Sequence, residues 1–289
     1  MPTTNPYHGV DWSAGRRGNL HCHSTQSDGK ASPQAVIAAY GDLGYDFLML
    51  SDHDIYTAPE ILARAAADDV VLLPGCEVSQ NGPHLLQIGG SHAAAPVEDR
   101  QQVIDAIRAD GGFAVLNHPN WFAEHDHFPQ EQLVALQNYA GIEIYNALIG
   151  ELPGSPYALN RWDRLLSRRR RVWGYANDDA HALAHIGQGW MVAFPTANTA
   201  PGIIDALASG RFYGSSGVAI GSITVTDGTV TIVAPEAERI IAVGEWGRRI
   251  KVIDQPELTV ALPESGYVRF ECFGGGERQA WSQPITCGW

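Results

Sequence analysis

The chain has few cysteines, and none of them form a metal-binding or redox pair. Its 289 residues contain four, and no two of these stand in a Cys-x-x-Cys motif: Cys22, Cys76, Cys272 and Cys287. This spacing excludes a zinc knuckle and a thioredoxin-like active site. We expect all four to be reduced, buried thiols, as unpaired cysteines usually are.

Long apolar runs and positive charge are also scarce. No stretch approaches the roughly 20 apolar residues that cross a bilayer. Residues 1–6 lack the charged and then apolar pattern of a secretion signal. We therefore expect a cytoplasmic protein without a membrane partner. The 19 Lys and Arg residues against 32 Asp and Glu give a net charge of −13. This balance argues against binding duplex nucleic acid, which needs a basic face, and favours a small-molecule substrate.

The first part of the chain alternates short apolar runs with helix-like segments. One helix is expected to begin at Ser32-Pro33, a capping residue followed by proline in the first turn, and others after Pro96 and Pro129. The apolar runs between them are continuous rather than alternating, as in parallel strands covered on both faces. Residues 1–215 therefore predict an α/β domain, either an open sheet or a (β/α) barrel.

The last part of the chain has a different pattern. Two segments of alternating polarity, 222–226 and 229–233, flank Asp227-Gly228, which is typical of a two-residue β-hairpin. Further strand-like segments continue to residue 273 without a helical period. We expect residues 216–289 to form a small antiparallel β unit.

Histidines and carboxylates follow the apolar runs of residues 1–215, and active sites of barrel enzymes lie where strands end. Residues two apart on a strand share a face, so His21 and His23 can bind one metal, and Asp179 and His181 repeat this spacing. Glu77 ends a buried run, where a carboxylate is costly unless it is paired or bound to metal. The full set of predicted ligands is His21, His23, Asp28, His53, Glu77, His84, His118, Asp179 and His181.

The order and spacing of these residues resemble a known family, the PHP (polymerase and histidinol phosphatase) superfamily of metal-dependent hydrolases. The motifs are His21-x-His23, Asp28, Asp52-His53, Glu77, His84, His118-Pro119 and Asp179-x-His181. Segments 210–217 and 280–285 also resemble the CehA/McbA-like branch, whose PHP domain carries a C-terminal β region. The resemblance implies a distorted (β/α)7 PHP barrel followed by that β unit.

The resemblance also implies two or three divalent metals, for which mixed imidazole and carboxylate ligands suit Mn, Fe or Zn. The implied ligands of the first metal are His21, His23, Glu77 and Asp179. Glu77 would bridge to a second, also bound by His84 and His118. The implied ligands of a third are Asp28, His53 and His181.

The implied activity is that of a phosphoesterase that uses a metal-activated hydroxide on a small phosphate monoester or a nucleotide-like diester. The residues expected to take part in catalysis are Glu77, Asp179, His53 and Arg211, and those expected to contact substrate are Arg211, Asn146 and His125. Two alternatives remain open. One is a carbamate or carboxylic ester hydrolase of the CehA/McbA type, and the other is a metal-binding module without turnover.

Overall fold

The structure, a computed structural model, describes residues 3–58 and 70–289, and strand outnumbers helix within them. The α-helices there are α1 (Pro33–Asp42), α2 (Arg100–Ala109), α3 (Gln130–Ala135), α4 (Leu159–Leu166) and α5 (Ala200–Ala208). The strands are β1 (Thr3–Thr4), β2 (Arg16–Asn19), β3 (Phe47–Leu48), β4 (Val71–Leu72), β5 (Gly75–Val78), β6 (Leu85–Ile88), β7 (Phe113–Leu116), β8 (Gly141–Asn146), β9 (Trp173–Asn177), β10 (Trp190–Ala193), β11 (Phe212–Ser215), β12 (Ser222–Thr226), β13 (Thr229–Val233), β14 (Arg239–Gly244), β15 (Arg248–Ile253), β16 (Glu257–Ala261), β17 (Gly266–Phe273), β18 (Gln279–Ser282) and β19 (Ile285–Cys287). None of the helices in these ranges has both the length and the apolar content to span a membrane.

Helix α1 begins where the sequence predicts. The Ser32 hydroxyl accepts a hydrogen bond from the Ala35 N–H at 3.3 Å, and Pro33 occupies the first turn, where its missing N–H costs nothing. The buried face of the helix includes Ile37 and Tyr40. Helices α2 and α3 likewise follow the prolines expected to precede them, so all three predicted helices are confirmed.

The strands of the described residues form three sheets. The largest has the order β1-β19-β17-β18-β11-β10-β2-β3-β4, with β14 pairing β17 and β15 pairing β14. A second sheet has the order β5-β6-β7-β8-β9, and a third has the order β12-β13-β16. Neighbours are parallel along β2-β3-β4 and along β7-β8-β9. They are antiparallel along β5-β6-β7 and along β2-β10-β11.

A distorted (β/α)7 barrel is not what these pairings show. In residues 3–58 and 70–289 the strands form open sheets, and backbone pairing between the two larger sheets consists of isolated bridges such as Cys22–Ala180 and His53–Glu77. Two local features account for this. Strands β3 and β4 are only two residues long, and β6 and β10 run antiparallel to their neighbours, which interrupts the strand-helix-strand repeat of a parallel barrel. The predicted α/β class is correct, but the fold is mixed and rich in sheet.

The regular structure after residue 215 is strand, apart from one short 3-10 turn. The predicted hairpin is confirmed: β12 pairs with β13 in register, and the turn residues Asp227 and Gly228 have φ angles of 50° and 74°. Strands β17 and β18 continue the largest sheet through β11, so that sheet runs across the expected boundary. The division into residues 1–215 and 216–289 stays a prediction.

The interior beneath the predicted ligands is packed with apolar side chains, and the cysteines of the chain are free thiols. All four cysteines are buried and unpaired, as predicted. One core cluster packs α2 and α4 against the second sheet through buried side chains that include Ile104, Trp162 and Ile142. This packing fixes β5 to β9, which carry several predicted ligands at or near their ends.

Candidate metal centre

The structure brings all nine predicted ligands to one place. Their donor atoms form overlapping groups of three or four, and within each group the atoms lie no more than 4.8 Å apart. They come from β5, from the residue before β6, and from the loops that follow β2, β3, β7 and β9. Short segments of distant sequence therefore meet at one edge of the two larger sheets.

Glu77 lies at the centre of this cluster and is only 1% exposed. One carboxylate oxygen, Oε1, faces imidazole nitrogens at 3.2 to 3.5 Å: His21 Nε2, His84 Nδ1 and His118 Nε2. The other oxygen, Oε2, faces a second group at 2.9 and 3.4 Å: His53 Nδ1 and His23 Nε2. The two oxygens thus face separate groups of imidazole nitrogens, which is the arrangement that a carboxylate bridging two cations would need.

Two further carboxylates flank Glu77. Asp179 Oδ1 lies 3.2 Å from His21 Nε2 and 3.3 Å from His23 Nε2, in the buried part of the cluster. Asp28 is more exposed, and its Oδ2 lies 3.3 Å from His181 Nε2. The cluster therefore has a buried side and a solvent edge.

Many buried atoms of the cluster make no hydrogen bond of acceptable geometry within the described residues. These atoms are His21 Nε2, His23 Nε2, His53 Nδ1, Glu77 Oε2, His84 Nδ1, His118 Nδ1 and Asp179 Oδ1. Each unsatisfied buried polar atom costs about 1–3 kcal/mol, so such a concentration is unfavourable without a ligand. Imidazole nitrogens and carboxylate oxygens at this spacing suit divalent cations such as Mn, Fe or Zn. The donor set fits the metals that the motifs imply.

The electrostatics of the cluster keep Glu77 and Asp179 ionised. Burial alone would raise the pKa of Glu77 and of Asp179, but the neighbouring imidazoles, His21 foremost, hold both pKa values below the usual range. Burial disfavours the charged form of His21, yet the surrounding carboxylates raise its pKa well above the usual value. Both acids are therefore negatively charged at neutral pH and can serve as ligands.

Glu143 supports the cluster from behind. Its Oε1 accepts a hydrogen bond from His21 Nδ1 at 2.8 Å, and its Oε2 accepts one from the His118 N–H at 2.8 Å. With a proton held on Nδ1, Nε2 is the nitrogen of His21 that faces Glu77 and Asp179 and that would give up its proton to bind a cation. This buried residue therefore orients one ligand through its ring and another through its backbone.

Two asparagines hold the carboxylate ligands. Asn117 Nδ2 donates to Glu77 Oε1 at 2.6 Å, and Asn146 Nδ2 donates to Asp179 Oδ2 at 3.1 Å. Asn146 was expected to contact substrate, whereas the structure places it against a ligand. Asn117 was not selected from the sequence. Its position between an apolar run and His118 is the signal that could have identified it.

The other expected substrate contacts lie apart from the cluster. Arg211 pairs with Asp205, with 2.6 Å between Nη2 and Oδ2. His125 lies in an exposed loop at a φ of 55°, and its carbonyl accepts a hydrogen bond from Arg161. The structure brings neither Arg211 nor His125 to the described residues that line the cavity over the cluster.

His127, two residues further along that loop, does reach the cluster. Its Nε2 accepts a hydrogen bond from the His84 N–H at 2.9 Å, and its ring lies 4.7 Å from that of His118. Burial lowers the pKa of His127 to about 2, so the imidazole is neutral. The prediction from sequence did not select His127, although the His-x-His spacing at 125–127 was the available signal.

A cavity of about 180 Å³ opens over the cluster. One wall consists of predicted ligands: Asp28, His53, Glu77, His84, His118, Asp179 and His181. The other lining residues are apolar: Trp121, Leu148, Ile149 and Leu152. A small molecule in this cavity would therefore contact both the predicted ligands and apolar side chains.

Comparisons with known proteins give a likeness of fold. No protein-family model and no curated protein matches the sequence. A solved two-domain protein from Bacteroides vulgatus, described as containing a predicted PHP-like metal-dependent phosphoesterase, matches with a TM-score of 0.57 and 16% identity. The match covers 93% of this chain and 94% of that one.

Two more solved structures match over 57% of this chain and 87% of their own. They are a candidate metal-dependent phosphoesterase from Bifidobacterium adolescentis, with a TM-score of 0.44 and 14% identity, and an amidohydrolase from Chromobacterium violaceum with bound sulfate and no metal, with a TM-score of 0.41 and 17% identity. Membership of the CehA/McbA-like branch stays a prediction. Over nearly its whole length, the chain shares the fold of the Bacteroides vulgatus protein, whose description names the PHP-like type that the motifs resemble.

Proposed function

We propose that this protein is a metal-dependent hydrolase that cleaves phosphate esters of small molecules. The observation that carries the proposal is the placement of Glu77, whose two oxygens face separate groups of imidazole nitrogens. The unsatisfied buried donor atoms around it support the same conclusion. The likeness of fold to a PHP-like protein agrees with it.

The proposed ligands follow the assignment implied by the motifs. Donor atoms of His21, His23 and Asp179 lie within 4.8 Å of one another, and so do those of Asp28, His53 and His181 with His23. These groupings support a first and a third cation, with Glu77, His84 and His118 around a second. Divalent cations bound here would acidify water and neutralise the charge that develops on a phosphoryl group.

The residues of the chain prepare the site for that chemistry. Glu77 and Asp179 stay ionised because of the imidazoles around them. Glu143 holds a proton on His21 Nδ1, so that Nε2 is the nitrogen available to a cation. Apolar side chains line the cavity together with the ligands, and a substrate bound against them would displace water from the site. Arg211 has no role in the proposal, because its guanidinium pairs with Asp205 away from the cavity.

Hydrolysis assays test the proposal. Protein loaded separately with Mn²⁺, Fe²⁺ or Zn²⁺ is assayed with 4-nitrophenyl phosphate and bis(4-nitrophenyl) phosphate. We expect at least one form to hydrolyse a phosphate ester, and Glu77→Gln to lower kcat/KM by at least about 100-fold because the bridging charge is lost.

A matched variant and a second substrate class make the result decisive. Glu257→Gln makes the same change on an exposed strand position and should leave activity unaltered. Circular dichroism would show that both variants are folded. Inactivity of every loaded form towards phosphate esters would contradict the proposal. Hydrolysis of aryl carbamates or carboxylic esters by the same preparations would favour the alternative activity.

A further inference from the structure

An apolar rim adjoins the predicted ligands at the cavity. It consists of Trp121, Leu148, Ile149 and Leu152, and all four line the cavity together with the ligands. Ile149 is buried, whereas Leu152 is 39% exposed at the outer edge. Trp121 follows β7, and the other three follow β8. Two neighbouring strands therefore each supply a ligand-bearing or supporting residue and a part of this rim.

Hydrogen bonds fix the rim to the backbone of the site. The Trp121 N–H donates to the His118 carbonyl at 2.9 Å, and the indole ring lies edge-on to the His118 imidazole at 5.1 Å. The Leu148 N–H donates to the Asp178 carbonyl at 3.1 Å, next to Asp179. The apolar surface is therefore held at a set distance from the ligands and forms part of the site.

The described residues that line the cavity include no lysine or arginine. Three of them are carboxylates, namely Asp28, Glu77 and Asp179. Sites that bind polyanionic phosphates usually add arginine or lysine to hold the further negative charges. Placing such charges against leucine and tryptophan would cost free energy, because nothing there replaces their hydration.

Resting on the phosphoesterase function proposed above, we propose that the substrate carries an apolar alkyl or aryl group that lies against the apolar rim. Nucleotides and sugar phosphates are then poor substrates. Common ligand pockets measure about 300–1,000 Å³, whereas this cavity measures about 180 Å³. It has room for the reacting ester and one ring or short chain, and larger substituents would extend into solvent past Leu152.

A binding experiment tests this inference without requiring turnover. Calorimetry would compare inorganic phosphate, butylphosphonate and phenylphosphonate, using whichever of the Mn²⁺, Fe²⁺ and Zn²⁺ forms binds phosphate most tightly. We expect phenylphosphonate to bind at least about tenfold more tightly than phosphate, because burial of the ring against the rim is favourable. Leu152→Ser should lower this ratio several-fold.

Leu43→Ser serves as the matched control. Leu43 is 50% exposed and does not line the cavity, so this variant should keep the ratio of the wild-type protein. Leu148→Ser provides a second variant of the rim. Equal affinities for phosphate and phenylphosphonate, or a ratio that neither rim variant changes, would overturn the inference.

A substrate series separates failure of this inference from failure of the proposed function. The esters are methyl 4-nitrophenyl phosphate, phenyl 4-nitrophenyl phosphate and thymidine 5′-(4-nitrophenyl phosphate). The expected order of kcat/KM places the phenyl ester first and the thymidine ester last, with the preference reduced in Leu152→Ser. Cleavage of all three at equal rates, or fastest cleavage of the thymidine ester, rejects apolar recognition but keeps the phosphoesterase function. Tight binding of phenylphosphonate without cleavage of any phosphate ester rejects the phosphoesterase function and supports the recognition of an apolar group.

Discussion

At the scale of single residues, Glu143 is not itself a predicted ligand but positions one through a direct hydrogen bond. Its carboxylate accepts from His21 Nδ1 and thereby leaves Nε2 free to bind a cation. A glutamine at this position accepts a weaker hydrogen bond, because it carries no charge. We expect Glu143→Gln to weaken metal affinity by about 10–100-fold. Competition with a metallochromic chelator measures this, and Glu257→Gln should bind metal like the wild-type protein. Equal affinity in both variants would mean that Glu143 does not orient His21.

His127 predicts a pH dependence of stability in the metal-free protein. Its pKa in the folded protein is about 2, against 6.5 for a free side chain. Below pH 6.5 the unfolded chain therefore binds a proton at this position, whereas the folded protein does not. The stability contributed by the neutral imidazole is complete above pH 6.5 and is lost as the pH falls below that value. Between pH 7 and pH 5 this loss amounts to about 2 kcal/mol.

Denaturant unfolding at the two pH values checks this prediction. His127→Gln keeps an acceptor for the His84 N–H but has no proton to gain, so its stability should fall less between pH 7 and pH 5. The difference between the two losses is the quantity of interest, because other histidines titrate in both proteins. Identical losses would show that His127 is protonated in the folded state.

The sequence predicts the identity of the clustered ligands well. It predicts poorly which hydrogen bonds hold those ligands in place. Each ligand could be selected because its type binds metal and because it stands near an apolar run. The contact between Asn117 and Glu77 could not be predicted from the sequence, since it depends on how β5 and β7 are placed relative to each other. His118 and Asp179 also turn through left-handed backbone, with φ angles of 28° and 56°, which no spacing of residues reveals.

At the scale of secondary structure elements, one buried ion pair joins α4 to β17. Arg269 Nε and Nη2 donate to the two oxygens of Asp163 at 2.8 and 2.7 Å, and the Tyr267 hydroxyl donates to the same carboxylate at 2.7 Å. Arg269 is 1% exposed. Arg269→Met leaves the Asp163 charge buried without its main partner, and we expect the free energy of unfolding to fall by about 3–5 kcal/mol.

An exposed pair of the same residue types provides the comparison. Arg239 pairs with Asp254 at 2.6 Å on the surface, so Arg239→Met should change stability little. The double variant Asp163→Leu with Arg269→Met removes both buried charges and should recover much of the loss. If Arg269→Met proved as mild as Arg239→Met in chemical denaturation, the buried pair would not hold α4 to β17.

Local signals predict elements more reliably than their assembly. Helix α1 and the β12–β13 hairpin depend on short-range chemistry, namely the Ser32 cap and the Asp227-Gly228 turn, and both form as predicted. The barrel depends on how strands pair over long distances. The antiparallel pairing of β5 with β6 places Glu77 near the other ligands without a closed ring, and the apolar pattern of these strands does not distinguish the two arrangements.

At the scale of the whole molecule, the two ends of the chain meet within one sheet. Strand β1 pairs with β19, and β18 pairs with β11. Gln283 is fully buried, and its side chain accepts from the Gly174 N–H at 2.9 Å and donates to the Gly174 carbonyl at 2.8 Å. Residues after 215 thereby complete hydrogen bonds of the strand that leads to Asp179.

This continuity predicts a single cooperative unfolding transition for the full chain. Differential scanning calorimetry of the metal-free protein should give one peak, with equal calorimetric and van't Hoff enthalpies. A fragment of residues 1–215 should not fold, because loss of β18 leaves one side of β11 unpaired and removes most of the core cluster in which Phe194 and Tyr213 are buried. Gln283→Leu, which leaves both Gly174 groups unsatisfied, should lower the stability of the whole protein by about 1–3 kcal/mol per group without splitting the transition. Two separate peaks, or a folded fragment that still binds metal, would instead establish residues 216–289 as an independent unit.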